Sequence, residues 1–244
     1  MSSNVANSVP TGLTAAQISK PDLPSGLTII DVPLLEASED NLSLVGASLI
    51  SGPDERSVAN SNFQIVAWPV QGWRQLDSNT GDEAGTTEGP FEVHWEGDYF
   101  FGHNLGVATS NNYYLDGLSA PPEIAQHIPG QDLPPNGTDS IYLWMSDYHP
   151  DGAQMFWNHN NVPFTVCLGP ASVGDDVQPT DMRAYSIPPG KGVYFPAGTW
   201  HNGVYTHASF GKQTFLTRQG KVHARVSCSW VAEYKVLLKV PLCK

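Results

Sequence analysis

Residues 190–201 read GKGVYFPAGTWH. Gly192 to Phe195 is a short strand run, and the next residues end it in a defined way. Pro196 stiffens the approach to a turn, and Gly198 permits a tight reversal between two strands. The spacing predicts that His201, just past the turn, points inward at the mouth of a β structure.

Composition agrees with such a structure throughout. The chain has 244 residues, enough for one large domain with a substantial core. Charged residues make up only 15%, while Gly (23) and Pro (20) are abundant, which suits short strands joined by many turns. The seven Trp, nine Tyr and nine Phe fit pleated surfaces. The net charge is −12, with 12 Lys and Arg against 24 Asp and Glu. No basic face for nucleic-acid phosphates or an anionic membrane is visible, and no apolar run is long enough for a membrane span. The few arginines become the candidates for holding an anionic substrate. Cys167, Cys228 and Cys243 are odd in number and widely spaced, so neither a zinc finger nor a disulfide framework is expected. The N-terminus lacks the basic and apolar regions of a secretory signal, so a cytoplasmic setting is expected.

Along the chain, residues 1–25 read as a mobile tail before one domain over 26–244. A strand is expected at Leu27 to Val32. A short helix comes after it, capped by Ser38 and stopped by Gly46. Further strands are expected at Phe63–Val70, Phe91–Glu96, Asp98–His103, Ile141–Tyr148, Phe164–Leu168, Ala184–Ile187, Gly192–Phe195, Gln213–Thr217, Val222–Trp230 and Tyr234–Val240. In Phe91–Glu96, Phe91, Val93 and Trp95 share one face, and Glu92, His94 and Glu96 the other. In Val222–Trp230, Val222, Ala224, Val226, Cys228 and Trp230 oppose His223, Arg225, Ser227 and Ser229. Residues 77–90 and 116–140 read as long loops, the first either a lid or a solvated excursion.

Gly190, Pro196, Gly198 and His201 keep the register Gly, five residues, Pro, any, Gly, two residues, His. This resembles the second motif of the cupins, although Tyr205 stands where an Asn is usual. The first cupin motif should give His, any, His and then an acid. Its best match is His149-Pro150-Asp151-Gly152-Ala153-Gln154, with Asp151 for the second His and Gln154 for the acid. The run His149, Pro150, Gly152, Gln154 and Phe156 also resembles the ureidoglycolate lyase (ureidoglycolate hydrolase) family of cupins. So do Arg183-Ala184-Tyr185, the Gly190-to-Val193 turn and the pair Trp200-His201. The resemblance covers roughly residues 28–50 and 141–240. Residues 63–140 look like those of a longer subgroup. The implied fold is an all-β cupin jelly-roll barrel, a single domain with a short N-terminal helix and long loops. Cupins commonly pair, so a homodimer is expected by analogy of fold.

The family splits ureidoglycolate into glyoxylate and urea, and the resemblance implies this or a similar C–N (or C–O) cleavage on a small hydroxy or ureido carboxylate. That chemistry needs a base near neutral pKa, which His201 or His149 would supply. It needs a cation for the carboxylate, and Arg183 has the planar fork for it, with Arg218 and Arg74 weaker candidates. Gln154 would orient the substrate, Tyr185 would face the same space, and Trp200 would pack to fix His201. A divalent metal such as Ni, Mn, Fe or Zn could polarise the hydroxyl oxygen. Its possible ligands are His149, His201, Gln154, Glu92 and His94; the last two share a strand face and could equally be a hydrogen-bonded outer pair. His103, His127, His159, His207 and His223 read as structural. Two other classes stay open: a cupin enzyme of another reaction (isomerase, lactone hydrolase or metal-dependent oxygenase), and a non-catalytic small-molecule binder.

Overall fold

The computed structural model describes residues 21–63, 72–77, 80, 87–105, 111–135 and 137–244. The chain opens with β1 (Thr28–Asp31) and β2 (Leu34–Glu36), then α1 (Glu39–Ser43) and β3 (Ser48–Ile50). Among the described residues, a 3-10 turn (Pro53–Arg56) and then β4 (Glu88–Glu96), β5 (Tyr99–Asn104), β6 (Asn111–Leu118), β7 (Ser140–Leu143) and β8 (Met145–Tyr148) follow. Next are β9 (Gln154–Asn158), β10 (Phe164–Gly169), β11 (Arg183–Ile187), β12 (Gly192–Phe195) and β13 (Trp200–Tyr205). The chain closes with β14 (Gln213–Arg218), β15 (Val226–Ser229) and β16 (Val236–Pro241).

These strands form two sheets. The large one has the order β1-β16-β7-β6-β5-β4-β14-β9-β12-β3, and the small one β15-β8-β13-β10-β11-β2. Pairing is antiparallel except for β1 with β16 and β2 with β11. The architecture is that of a cupin-type jelly-roll β-sandwich. It corrects the expected barrel in one respect: among the described residues the two sheets face each other and do not close into one cylinder. Large side chains fill the space between them, including Trp95, Phe156, Phe164, Phe195, Trp200, Tyr205 and Phe215. Cys167 and Cys228 are buried within this core.

The helix forms as expected. Ser38 caps it by accepting the Asn41 amide, and Gly46 turns the chain at φ +71°. Leu23 packs on a hydrophobic cluster, and the Gly26 amide donates to Glu123. Residues 1–20 and most of the expected strand Phe63–Val70 lie outside the described residues. The expected strand Val222–Trp230 is regular only over β15. Residues 222–224 point their amides at Asp151 instead of a neighbouring strand, and a π-helical turn takes over at Trp230.

Two irregularities in the ladders matter for the site. Between β10 and β13, Val166 faces Val204 while Leu168 faces His201, so β13 spends three steps against two. That bulge turns both His201 and Asn202 toward the space between the sheets. Between β5 and β6, Tyr99 faces Leu118 and Phe101 faces Tyr114, four steps against two. Asp116 sits in the slack, at φ +51°. A loop is expected from residue 116, yet β6 runs on to Leu118.

Candidate active site

A cavity of about 230 Å³ opens between the sheets. Its small-sheet wall is built across three neighbouring strands. Asp147 on β8 faces Ser227 on β15 and His201 on β13, so the three side chains stand in a row. The large sheet contributes Gln154, Phe156, Phe91 and Asp116, and the 219–225 connector contributes Gln219 and Arg225.

The turn after β12 ties the two motif regions together. Gly198 has φ +82°, open to glycine, and its amide donates to the carbonyl of His149 at 3.0 Å. His149 and His201 thus face each other, ring centres 5.0 Å apart. The Nε2 atoms lie 3.6 Å (His149) and 4.0 Å (His201) from Asp147 Oδ2. Each Nδ1 lies 2.8 Å from a backbone carbonyl, Ala224 for His149 and Thr199 for His201. A carbonyl can only accept, so Nδ1 carries the proton and the Nε2 lone pair faces the cavity. Burial pushes the His201 imidazole down to about 4, helped by His149 and opposed by Asp147 and the Thr199 bond. It stays neutral at physiological pH.

The residues fit a divalent metal. One ligand atom from each of Asp147, His149 and His201 lies within 4.8 Å of the other two. Both imidazoles are locked by carbonyls in the ligating tautomer. Gln154 lines the same cavity, and its buried Oε1 has no hydrogen-bond partner among the described residues. Two nitrogens and carboxylate or amide oxygens suit Mn, Fe, Ni or Zn.

This corrects the register of the first motif. Asp147, not His149, stands in the position of the first His, His149 in that of the second, and Gln154 in that of the acid. Asp151 is fully buried beneath the site and lines no part of the cavity. The signal in the sequence is the spacing Asp-x-His within a strand run, which puts both side chains on one face.

Other expected residues fall elsewhere. Glu92 and His94 lie on the face of β4 opposite Phe91, away from the cavity. Glu92 pairs with Lys212 at 2.5 Å and His103 at 3.9 Å, and His94 with Glu96 at 3.1 Å. Arg183 Nη1 donates to the carbonyls of Met182 and Thr180, outside the cavity. Tyr185 is sealed in the core, its hydroxyl unpartnered among the described residues and pushed up to about 12 by burial. Trp200 packs edge-on against Tyr148 and donates to the Gly174 carbonyl, so it sits behind His201 and not in the cavity. Arg74 and Arg218 are held by Glu233 and Glu88.

Among the described residues, the cation that lines the cavity is Arg225. Beside it Asp116 holds a carboxyl pushed up to about 8 by burial and by Asp147, against the pull of Arg225, Trp144 and Asn202. At neutral pH this carboxyl keeps its proton. The cue for Asp116 is the Asp-Gly pair in a strand run, and that for Arg225 is its place on the polar face of 222–230.

Fold and cavity together define a cupin-type β-sandwich with an imidazole–carboxylate site. Residues 120–233, a little under half of the chain, match the family described as ureidoglycolate lyase, in agreement with the resemblance carried by the motifs. The match spans Asp147, His149, Gln154, His201 and Arg225 but not Asp77, Phe91, Tyr113 or Asp116, which line the same cavity. No curated protein matches the chain significantly. Among the described residues no helix is long and apolar enough to cross a membrane.

Proposed function

We propose that the chain is a lyase acting on a small hydroxy or ureido carboxylate and cleaving its C–N bond, as in splitting ureidoglycolate to glyoxylate and urea. The observation that carries this is the meeting in one cavity of two Nε2 lone pairs, Asp147 and Arg225, within the region that matches the family.

Arg225 takes the substrate carboxylate in place of the expected Arg183. Asp116 donates its proton to the leaving nitrogen and is left as a carboxylate. His149 accepts the hydroxyl proton at Nε2 as the C=O bond forms and the C–N bond breaks, so one proton leaves oxygen and one arrives at nitrogen. A divalent metal would be held by Asp147, His149, His201 and the Gln154 amide oxygen; when bound it supplies Lewis-acid polarisation of the hydroxyl oxygen, and the imidazoles then serve as ligands. The aromatic wall of Phe91 and Phe156, ring centres 5.8 Å apart, keeps water from the reacting carbon.

The test is urea release from ureidoglycolate by the wild type and by His149→Ala. A loss of about 100-fold or more in kcat/KM, with folding intact, is expected. Unchanged turnover would sink the proposal. A second reading, a cupin enzyme of another reaction, draws on Phe91 and Tyr113, stacked 6.3 Å apart outside the matched region. Turnover of aryl- or alkyl-substituted hydroxy acids, with none of ureidoglycolate, would select it.

A further inference from the structure

We infer that Asp151 is a positioning residue for His149, acting through the 219–225 connector and touching neither substrate nor metal. Its consequence for ligand binding rests on the proposed site, but its primary readout, the tautomer of one imidazole, needs no activity.

Asp151 is fully buried and collects three consecutive backbone amides. Oδ2 accepts from Val222 and His223 and Oδ1 from Ala224, each at 3.1 Å. Three amides converging on one carboxylate curl the connector, and His223 takes φ +53° within it. The curl aims the Ala224 carbonyl back at His149, whose Nδ1 it meets at 2.8 Å from 75 residues away. The next residue, Arg225, enters the cavity.

Close approach is built into both segments. A Cβ on Gly220 would lie 2.4 Å from Asp151 Oδ2, and a Cβ on Gly152 would lie 2.6 Å from Gly220 Cα. These glycines therefore let the two backbones touch. Gln219, one residue earlier, accepts from the Gln154 amide at 3.3 Å. The connector thus reaches the site at Gln219, Ala224 and Arg225, and Asp151 is the group that fixes its course.

The two imidazoles are held by different means. His201 donates to Thr199, two residues away on its own turn. His149 depends on a distant carbonyl. Replacing Asp151 by Asn keeps the volume but sets an NH₂ against backbone N–H donors, so part of the cluster is lost. The Ala224 carbonyl then drifts, and His149 loses the acceptor that keeps its proton on Nδ1.

The experiment uses the full chain, stripped of metal by chelator, and reads imidazole tautomers by long-range ¹H–¹⁵N correlation. Asp151→Asn is expected to mix the tautomers of His149 and leave His201 protonated on Nδ1. Titration with Zn²⁺ is expected to show affinity lowered about 10-fold. Gly220→Ala, which crowds the same carboxylate, is expected to act in the same direction more weakly. A His149 that keeps its tautomer in both variants, with Zn²⁺ affinity unchanged, overturns the inference. So does a parallel change at both imidazoles, which would make Asp151 a support of the whole fold. If Asp151→Asn does not fold, Gly220→Ala decides on the same two criteria. A protein without C–N lyase activity that still shows the selective change at His149 retains this inference and loses only the proposed reaction.

Discussion

Strand β11 and the 219–225 connector each carry an arginine beside buried aliphatic residues, and they use it in opposite ways. β11 is regular, paired to β10 along its length and to β2 over residues 184–186. Its Arg183 sits where the ladder begins and turns back onto the carbonyls of its own chain. The connector pairs with no strand among the described residues, because Asp151 takes the amides a ladder would need. Freed from a ladder, it delivers Arg225 to the cavity and a carbonyl to His149. Regular strands here build the walls, and an irregular segment clasped by one carboxylate carries the cation.

The largest effect is expected at the clasp itself. Asp151→Ala removes the acceptor of three amides, of which those of His223 and Ala224 are buried and only that of His223 keeps a second acceptor, the Gly220 carbonyl, and a loss of about 2–3 kcal/mol in unfolding free energy is expected from urea denaturation. A loss near zero would mean that the connector holds its course without the carboxylate. Arg225→Ala comes next. It should raise KM for the carboxylate substrate by about 10- to 100-fold and change kcat less, because a carboxylate is held in both ground and transition states. Steady-state kinetics separate the two, and Arg225→Lys should recover only part of the loss because the planar fork is gone.

Legibility in the sequence divides along the same line. The turn at Gly198 and the Phe91–Glu96 alternation are local, and residues 190–201 suffice to place His201 at the cavity. The helix cap at Ser38 is local too. The features that stay hidden depend on a partner distant in sequence. Starting the first motif at His149 misses its register, although the face-sharing rule that groups Phe91 with Val93 also groups Asp147 with His149. Arg225 falls on the polar face of an alternating run, and such a face is ordinarily solvated, but here it lines a cavity. Glu92 and His94 satisfy the same spacing rule on the outer face of β4, where Lys212 and Glu96 meet them. Spacing gives a shared face; only the second sheet decides which face is inside. Asp116 needs a slipped ladder: the Asp116-Gly117 pair marks an irregularity in the strand but not the direction its side chain takes.

Asp116 extends the contrast to pH. Its folded value of about 8 stands above the ordinary 3.8, so between these limits the native state holds a proton that the unfolded chain releases. Stability therefore falls as pH rises through that window. His201 works the other way, its folded value of about 4 lying below the ordinary 6.5, so that stability rises with pH between them. The opposed slopes offset each other at acid pH, and above pH 6.5 the Asp116 contribution stands alone. Chelator-treated wild type should lose about 1–2 kcal/mol between pH 6.5 and 8, and Asp116→Asn should remove that loss. Equal slopes in the two proteins above pH 6.5 would contradict the protonated Asp116 carboxyl.

Arg183→Ala carries the smallest expected effect and serves as the control for the two arginines. Its guanidinium donates to the carbonyls of Thr180 and Met182 at the start of β11, where the side chain is partly exposed. Neither carbonyl belongs to the cavity wall. Removing these bonds should cost about 1 kcal/mol of stability at most and leave KM within about 2-fold of wild type. The double variant with Arg225→Ala should then show the Arg225 loss unchanged, because sites that share no partner add. A KM rise in Arg183→Ala comparable to that of Arg225→Ala would return the carboxylate to β11. It would also require the start of the strand to open toward the cavity, which the exchange rates of the Ala184 and Tyr185 amides would report directly.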